Sequence, residues 1–318
     1  MAVYTHLSAD DLAALLAEYD LGALSACDPV AEGIENTNYV LTTAQGRFIL
    51  TLFERRVAEA DLPFFIGVMA HLAAHDFPAP KPIARRDGLF FSRAKDRPAV
   101  IVSFLDGVWP RQTTLQHCAA IGDTLARMHV ALAEFEQTRA NTLGPPGWEA
   151  LLASRLDDAE KLRSGLGPTI ARDIEAVRIA WPSGLPRGAI HADLFPDNAL
   201  FAGDRLSGVI DFYFACTDFL AYDLAVCLNA WCFKNERTWS AERGRAMIAA
   251  YESVRPLSGD ERNALPLLAR GAALRFFATR LTDWSAQRPG ALVKPKDPLE
   301  YADKLAFWRD ANLPTSTQ

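Results

Sequence analysis

The sequence predicts an α+β protein in which a small antiparallel sheet comes first and a larger, mainly helical lobe follows. Three observations predict it. β-rich runs crowd residues 39–53 and 89–105, helical periodicities fill most of 114–285, and an extended stretch near Ser103–Gly107 joins the two regimes. The chain is expected to divide at 104, into a lobe of residues 1–104 and one of 105–318. Half of the 318 residues are hydrophobic and 23% are charged, the balance of an ordinary folded chain, so neither lobe needs disulfides or structural metals to hold its core.

The first lobe opens with Ser8 and, three residues on, Asp11, the pattern of a helix N-cap, followed by Leu12, Leu15, Leu16 and Tyr19 at helical spacing. Tyr39–Thr43 and Arg47–Phe53 read as the strands of a hairpin around Ala44-Gln45-Gly46. Leu62–Ala74 reads as a helix stopped by Pro78, Pro80 and Pro82, and Leu89-Phe90-Phe91 and Ala99–Leu105 read as two further strands. In the second lobe, helices are expected over 114–135, 148–163, 168–180, 219–233, 240–254 and 260–285, with two strand-like islands between them.

Composition excludes several classes of function. The net charge of −6, with Lys and Arg scattered among acids, argues against a nucleic-acid partner. Five cysteines without a C-x-x-C spacing read as reduced core thiols rather than a zinc or redox pair. The first residues, Met1–His6, lack the basic and apolar stretches of a leader. No run approaches the ~20 apolar residues a membrane span requires, so a cytoplasmic protein without a membrane partner is expected.

The chemistry lies in the two islands. Ala189–Phe201 contains His191-Ala192-Asp193 and Asp197-Asn198, and Ser207–Phe212 ends an apolar run on Asp211. An Asp, an Asn five positions later and a second Asp eighteen positions on match a kinase catalytic loop followed by its metal-binding aspartate. Asp193 can accept a hydrogen bond from a substrate hydroxyl and aim it at a γ-phosphate. Asn198 offers Mg²⁺ a neutral oxygen and Asp211 an anionic one. A metallohydrolase built on His191 and Asp193 would need further histidines, and the others show only one i,i+4 pair, His71 and His75. His191 is expected to brace the loop by a backbone hydrogen bond.

With His191–Asn198, Val209–Phe212, Asp223-Leu224-Ala225 and Ala126–His129 in view, the chain resembles the aminoglycoside phosphotransferase and choline kinase superfamily. Gly33–Tyr39, Leu50–Glu54 and Arg275–Leu281 are similar to the homoserine kinases built on that fold. The likeness runs from about Glu32 to about Trp284. It implies a bilobal protein-kinase-like fold that uses ATP and Mg²⁺ to phosphorylate a small hydroxyl compound, homoserine or a similar acceptor, in threonine biosynthesis. By position it implies Asp193 as the catalytic aspartate, Asn198 and Asp211 as Mg²⁺ ligands and the backbone of Ser103–Leu105 as the adenine contact. A loop carrying Gly33, Thr37 and Asn38 would cover the phosphates. The first lobe would thus bind nucleotide and the second hold the catalytic and acceptor sites. Read alone, the same loop is equally a polar hairpin connection.

One departure stands out: Thr51 occupies the strand position where the superfamily usually places Lys or Arg, and Leu62–Ala74 shows no partnering Glu. Arg47, Arg55 and Arg56 are candidate replacements.

The helix predicted over Pro266–Trp284 is apolar nearly all round, so Arg275 and Arg280 must either pair with internal carboxylates or complete a ligand's carboxylate. Arginine's planar fork suits a carboxylate and homoserine has one, so both are candidate substrate contacts, with internal ion pairs an equal alternative. Trp231, Phe233, Trp239 and Trp284 could instead cage a choline-like cation, or be core. Residues 229–280 hold more Arg than acid, which disfavours a polycationic acceptor. Two other readings remain open: another small-alcohol or amino-alcohol kinase of this fold, and a catalytically silent nucleotide-binding scaffold.

Overall fold

A computed structural model describes residues 4–30, 36–54, 57–286 and 295–311. The chain forms two compact units, Met1–Gly107 with Ser207–Tyr213, and Val108–Leu206 with Phe214–Gln318. As expected for α+β, the first is built on a sheet and the second mainly on helices. No helix among the described residues is long and apolar enough to cross a membrane.

In the first unit, α1 (Ala9–Leu16) starts at Ser8, whose hydroxyl accepts from the Asp11 N–H while the Asp11 carboxylate accepts from the Ser8 N–H, a reciprocal cap. The sheet comprises β1 (Leu24–Pro29), β2 (Thr37–Thr43), β3 (Gly46–Leu52), β4 (Phe91–Ala94) and β5 (Arg97–Ser103), in the spatial order β1-β2-β3-β5-β4 with every pairing antiparallel. Alternation sorts its side chains. Tyr39, Leu41, Phe48, Leu50, Leu52 and Ile101 join Leu12 and Leu15 of α1 in one core. Asn38 and Thr51, directly opposed across β2 and β3, stand on the other face. The helix α2 (Leu62–Ala74) is buried on most of its surface, including Phe64, Phe65, Val68 and Met69.

Two expectations about this sheet change. The strand predicted at Leu89 begins instead at Phe91, and Leu89 and Phe90 are exposed. The turn at Lys95-Asp96, both at positive φ, fixes the β4–β5 register, and the rest of the β5 edge is taken by Pro82 and Ile83. The strand β1 was not expected, because Asp28 and Pro29 are poor strand formers; an edge position tolerates them.

The second unit contains α3 (Leu115–Ala131), α4 (Pro145–Ala153), α5 (Leu156–Leu162), α6 (Leu166–Ala180), α7 (Leu220–Trp231), α8 (Ala241–Val254), α9 (Gly259–Ser285) and α10 (Leu299–Asp310). The stretch 148–163, read as one helix, breaks at Arg155, whose Nε donates to the Thr282 hydroxyl of α9 at 3.0 Å. Between α6 and α7 lie β6 (Arg187–Ile190), β7 (Ala199–Ala202), β8 (Arg205–Val209), which carries the chain into Ser207–Tyr213, and β9 (Cys216–Phe219), which pairs antiparallel with β6. The helix α9 begins seven residues before Pro266, capped by Ser258 and Glu261, and packs against α7, α10 and α4.

Packing between α3 and α8 depends on a missing side chain: a Cβ at Gly122 would lie 2.1 Å from the Met247 carbonyl oxygen. Because that obstacle is backbone, one helix must shift to relieve it. Gly122→Ala is expected to destabilise the protein by about 1–3 kcal/mol. Gly259→Ala, where a Cβ meets nothing within 4 Å, should not. Urea denaturation of both variants compares them, and equal midpoints would contradict the close crossing.

Candidate active site

The loop after β6 is held by a buried carboxylate one helix away. Asp223, in the first turn of α7, accepts the His191 N–H and the Ala192 N–H at 2.8 Å each, and sits 3.2 Å from His129 Nε2. His129 Nδ1 lies 2.8 Å from the Tyr251 hydroxyl, Arg255 Nη1 donates to that same hydroxyl at 3.2 Å, and Arg255 pairs with Glu261. Burial by itself would raise the pKa of Asp223. The hydrogen bond and charge of His129, with the charge and N–H of His191, outweigh it and hold the carboxyl below its ordinary value.

This anchorage keeps Ala192 at φ +63°, a left-handed conformation that costs a residue with a Cβ about 1–2 kcal/mol. Both sides of Ala192 are tied: its N–H to Asp223, and its carbonyl, which accepts from Arg275 Nη1 of α9. Asp193 follows. Its N–H donates to His191 Nδ1 at 3.2 Å, so His191 braces the loop as its spacing suggested. Asn198, in the single helical turn Pro196–Asn198, donates its amide nitrogen to the Asp193 carbonyl at 2.8 Å and lies 3.3 Å from Oδ2. That use of nitrogen leaves the amide oxygen as the atom of Asn198 that could hold a metal. Trp231 Nε1 fixes the next carbonyl, that of Leu194, at 2.8 Å.

Asp193, Asn198 and Arg275 are therefore brought together. Arg275 is 2% exposed, lies 3.8 Å from Asp193 Oδ1 and stacks over Phe276. Arg280 takes other partners: it pairs with Glu300 of α10, donates to the Asp297 carbonyl at 3.1 Å and lies over the Tyr301 ring. The two arginines thus do different things, one reaching the loop that carries Asp193 and the other tying α9 to α10.

Asp211 belongs to the first unit, where it too has a positive φ, +63°. Beside it in sequence, Tyr213 packs edge-on against Phe53 and Phe65. Burial raises the Tyr213 phenol, and a hydrogen bond with Thr51 opposes the rise. The Thr51 hydroxyl also donates to Asn38 Oδ1 at 2.8 Å. A neutral cluster of Asn38, Thr51 and Tyr213 thus surrounds the position at which a cation was missed. Of the candidate replacements, Arg47 pairs with Asp106, while Arg55 and Arg56 lie outside the described residues, as does Gly33. Thr37 is fully buried, its hydroxyl donating to Glu54 and accepting from the Tyr4 and Thr5 N–H groups. The Ser103 N–H is spent on the Lys81 carbonyl, and Leu105 is half-buried.

In the sequence Asp223 and His129 stand out only as members of short motifs, and neither Tyr251 nor the helix α10 was expected. The signal for α10 was present in Tyr301, Leu305 and Trp308 at helical spacing.

Residues 26–257 match the family model described as "Phosphotransferase enzyme family". The chain is 54% identical over 314 residues to the homoserine kinase of Rhodospirillum rubrum, covering 99% of this chain and 98% of that one. It is 55% identical over 307 residues to that of Afipia carboxidovorans, covering 96% and 94%. Among solved structures it resembles the amicoumacin kinase hAmiN in complex with AMP-PNP, Ca²⁺ and Ami, with a TM-score of 0.68, 15% identity and coverage of 95% and 92%. It also resembles a microcompartment-associated aminopropanol kinase, with a TM-score of 0.60, 19% identity and coverage of 95% and 94%. At such identities these likenesses show the fold alone.

A folded-state pKa below the unfolded value of about 3.9 means that the stability Asp223 contributes is complete above that value and is lost as the pH falls through the folded one. Asp223→Asn, which turns an amide toward backbone N–H groups, should cost about 3–5 kcal/mol at neutral pH. The gap to the parent protein should close as the pH drops below about 4. Denaturant melts across pH measure this, and a pH-independent gap would contradict the charge assignment.

Proposed function

The chain belongs to the phosphotransferase enzyme family, and from that membership we propose that it transfers the γ-phosphoryl group of ATP to the side-chain hydroxyl of L-homoserine, giving O-phospho-L-homoserine for threonine biosynthesis. The observation that supports the acceptor is the near full-length identity, above half of all positions, to proteins named homoserine kinase. The loop geometry supports the chemistry: Asp193 is carried on a backbone tied by Asp223, Arg275, Asn198 and Trp231 before any substrate arrives.

In the proposed reaction the Asp193 carboxylate accepts a hydrogen bond from the acceptor hydroxyl and orients it. As the new O–P bond forms, the bond between the γ-phosphorus and the β–γ bridging oxygen breaks, ADP leaves, and the hydroxyl proton passes to Asp193 and then to solvent. Asn198 keeps an amide oxygen and Asp211 offers a carboxylate, oxygen donors of the kind a hard cation takes, and these two residues would hold Mg²⁺. Bound Mg²⁺ would neutralise charge on the β- and γ-phosphates.

The first unit is the proposed nucleotide-binding lobe. The Gly33–Asn38 stretch would lie over the phosphates and the backbone near Leu105 would meet adenine, the Ser103 N–H being already donated. With Thr51 in a neutral cluster, nucleotide affinity there would lean on backbone groups and metal.

An acceptor screen with Mg·ATP and small hydroxyl compounds tests the assignment: turnover of L-homoserine above choline, ethanolamine and aminopropanol is expected, and preference for an amino alcohol would replace it with the runner-up kinase. Asp193→Asn should keep its melting temperature and ATP affinity while kcat falls by about 10²–10⁴-fold. Near-parental turnover in that variant would remove Asp193 from the role.

A further inference from the structure

The chain entering α10 is fixed through Asp297. Its carbonyl accepts from Arg280 of α9 at 3.1 Å, one carboxylate oxygen accepts the Leu299 N–H at 2.9 Å, and the other pairs with Arg237, between α7 and α8, at 2.9 Å. Arg237 also pairs with Asp303, so α10 and the residues before it are braced together. The residue preceding Asp297 is thereby set against the loop that carries Asp193. Lys296 Nζ lies 5.5 Å from the centroid of the Phe195 ring and 3.2 Å from Asp197 Oδ2, within the same compact unit. Phe195 and Asp197 lie between Asp193 and Asn198 in the chain, so this ammonium borders the proposed catalytic turn.

The cations beside this loop differ in what they can still meet. Arg275 is 2% exposed and faces Asp193, while Arg280 is 8% exposed and is taken up by Glu300 and the Asp297 carbonyl. A ligand would have to break buried pairs to use either. Lys296 keeps 48% of its side chain in water, and its partner Asp197 keeps 44%. An exposed pair of this kind contributes little, so its cation can exchange one carboxylate for another at small cost. Lysine suits the exchange, being a point charge on a flexible stem, and the Asp297 contacts hold its backbone whichever partner the ammonium takes.

The acceptor of the proposed reaction needs such a cation. L-homoserine carries a carboxylate separated from its hydroxyl by three carbons, and the hydroxyl has to reach Asp193. Its negative charge therefore arrives beside a loop that already bears the carboxylates of Asp193 and Asp197, where it would be repelled if left unpaired. We propose that Lys296 receives the carboxylate of the acceptor, releasing Asp197 as it does so, and that Arg280 serves the acceptor indirectly, by holding the segment from which Lys296 reaches. This rests on the reaction proposed above and names a residue that sets its specificity. The carboxylate contact passes from the arginines of α9 to a lysine that one of them braces.

Lys296→Met keeps most of the stem and removes the charge. Steady-state kinetics with L-homoserine and Mg·ATP, beside a melting curve, test it. The expected result is a KM for L-homoserine raised about tenfold or more, the size of a lost contact between charged groups, with the KM for ATP and the melting temperature unchanged. A homoserine KM within about twofold of the parent would overturn the contact. A KM for ATP raised alongside would overturn it too, by placing the ammonium on the nucleotide or by showing a loosened protein. Asp197→Asn separates a ligand contact from a brace on the loop, because it releases the ammonium without removing it. The homoserine KM of that variant should stay at the parent value or fall; a rise matching that of Lys296→Met would show that the pair itself is what matters, and would sink the proposal. A parent enzyme inert toward L-homoserine fails the reaction itself, and this inference with it. A normal parent with an unaltered Lys296→Met variant fails the inference alone.

Discussion

The loop that carries Asp193 depends on a single buried carboxylate. Asp223 takes two successive backbone N–H groups and one imidazole, and without those donors a charge at this depth would not be tolerated. What the arrangement achieves is a left-handed Ala192, a conformation that local sequence disfavours and that aims the following aspartate. The energy holding that strain comes from outside the loop. It is supplied by α7 through Asp223, by α3 through His129, by α8 through Tyr251 and by α9 through Arg275, so four helices of the second unit converge on two peptide groups.

Arg275 illustrates how burial changes the meaning of a residue. From its position on an apolar helix, a ligand carboxylate and an internal acid were equally reasonable partners. It meets the Ala192 carbonyl and an internal acid, Asp193, and so helps to hold the loop that carries Asp193. Arg280, five residues further along α9, serves the junction with α10, and through it the neighbourhood of Tyr301. Two arginines that read alike in sequence are separated by which element faces each.

Thr51 stands where the sequence resemblance led us to expect a cation, and the local structure surrounds it with neutral partners. Thr51 shares hydrogen bonds with Asn38 and Tyr213, so its partners there are polar and uncharged. No basic side chain has to be desolvated, which makes the cluster inexpensive to bury. It also shifts phosphate neutralisation onto other groups in the proposed reaction.

Much was legible in the sequence because it was local. The Ser8 cap, the hairpin of β2 and β3, the amphipathic or wholly apolar helices, and the spacing of Asp193, Asn198 and Asp211 all depend on neighbours a few residues apart or on strands joined by short turns. The likeness to a kinase superfamily rested on those same short stretches. Tertiary structure decided the rest, since each remaining question turned on contacts between distant segments. The start of β4 was set by residues 82 and 83 occupying the β5 edge, and the fate of Arg275 and Arg280 by the loop at 192 and the helix at 300. Hydrophobic period and turn chemistry are written residue by residue, whereas the partner of a buried polar group is chosen by whichever element the fold packs against it.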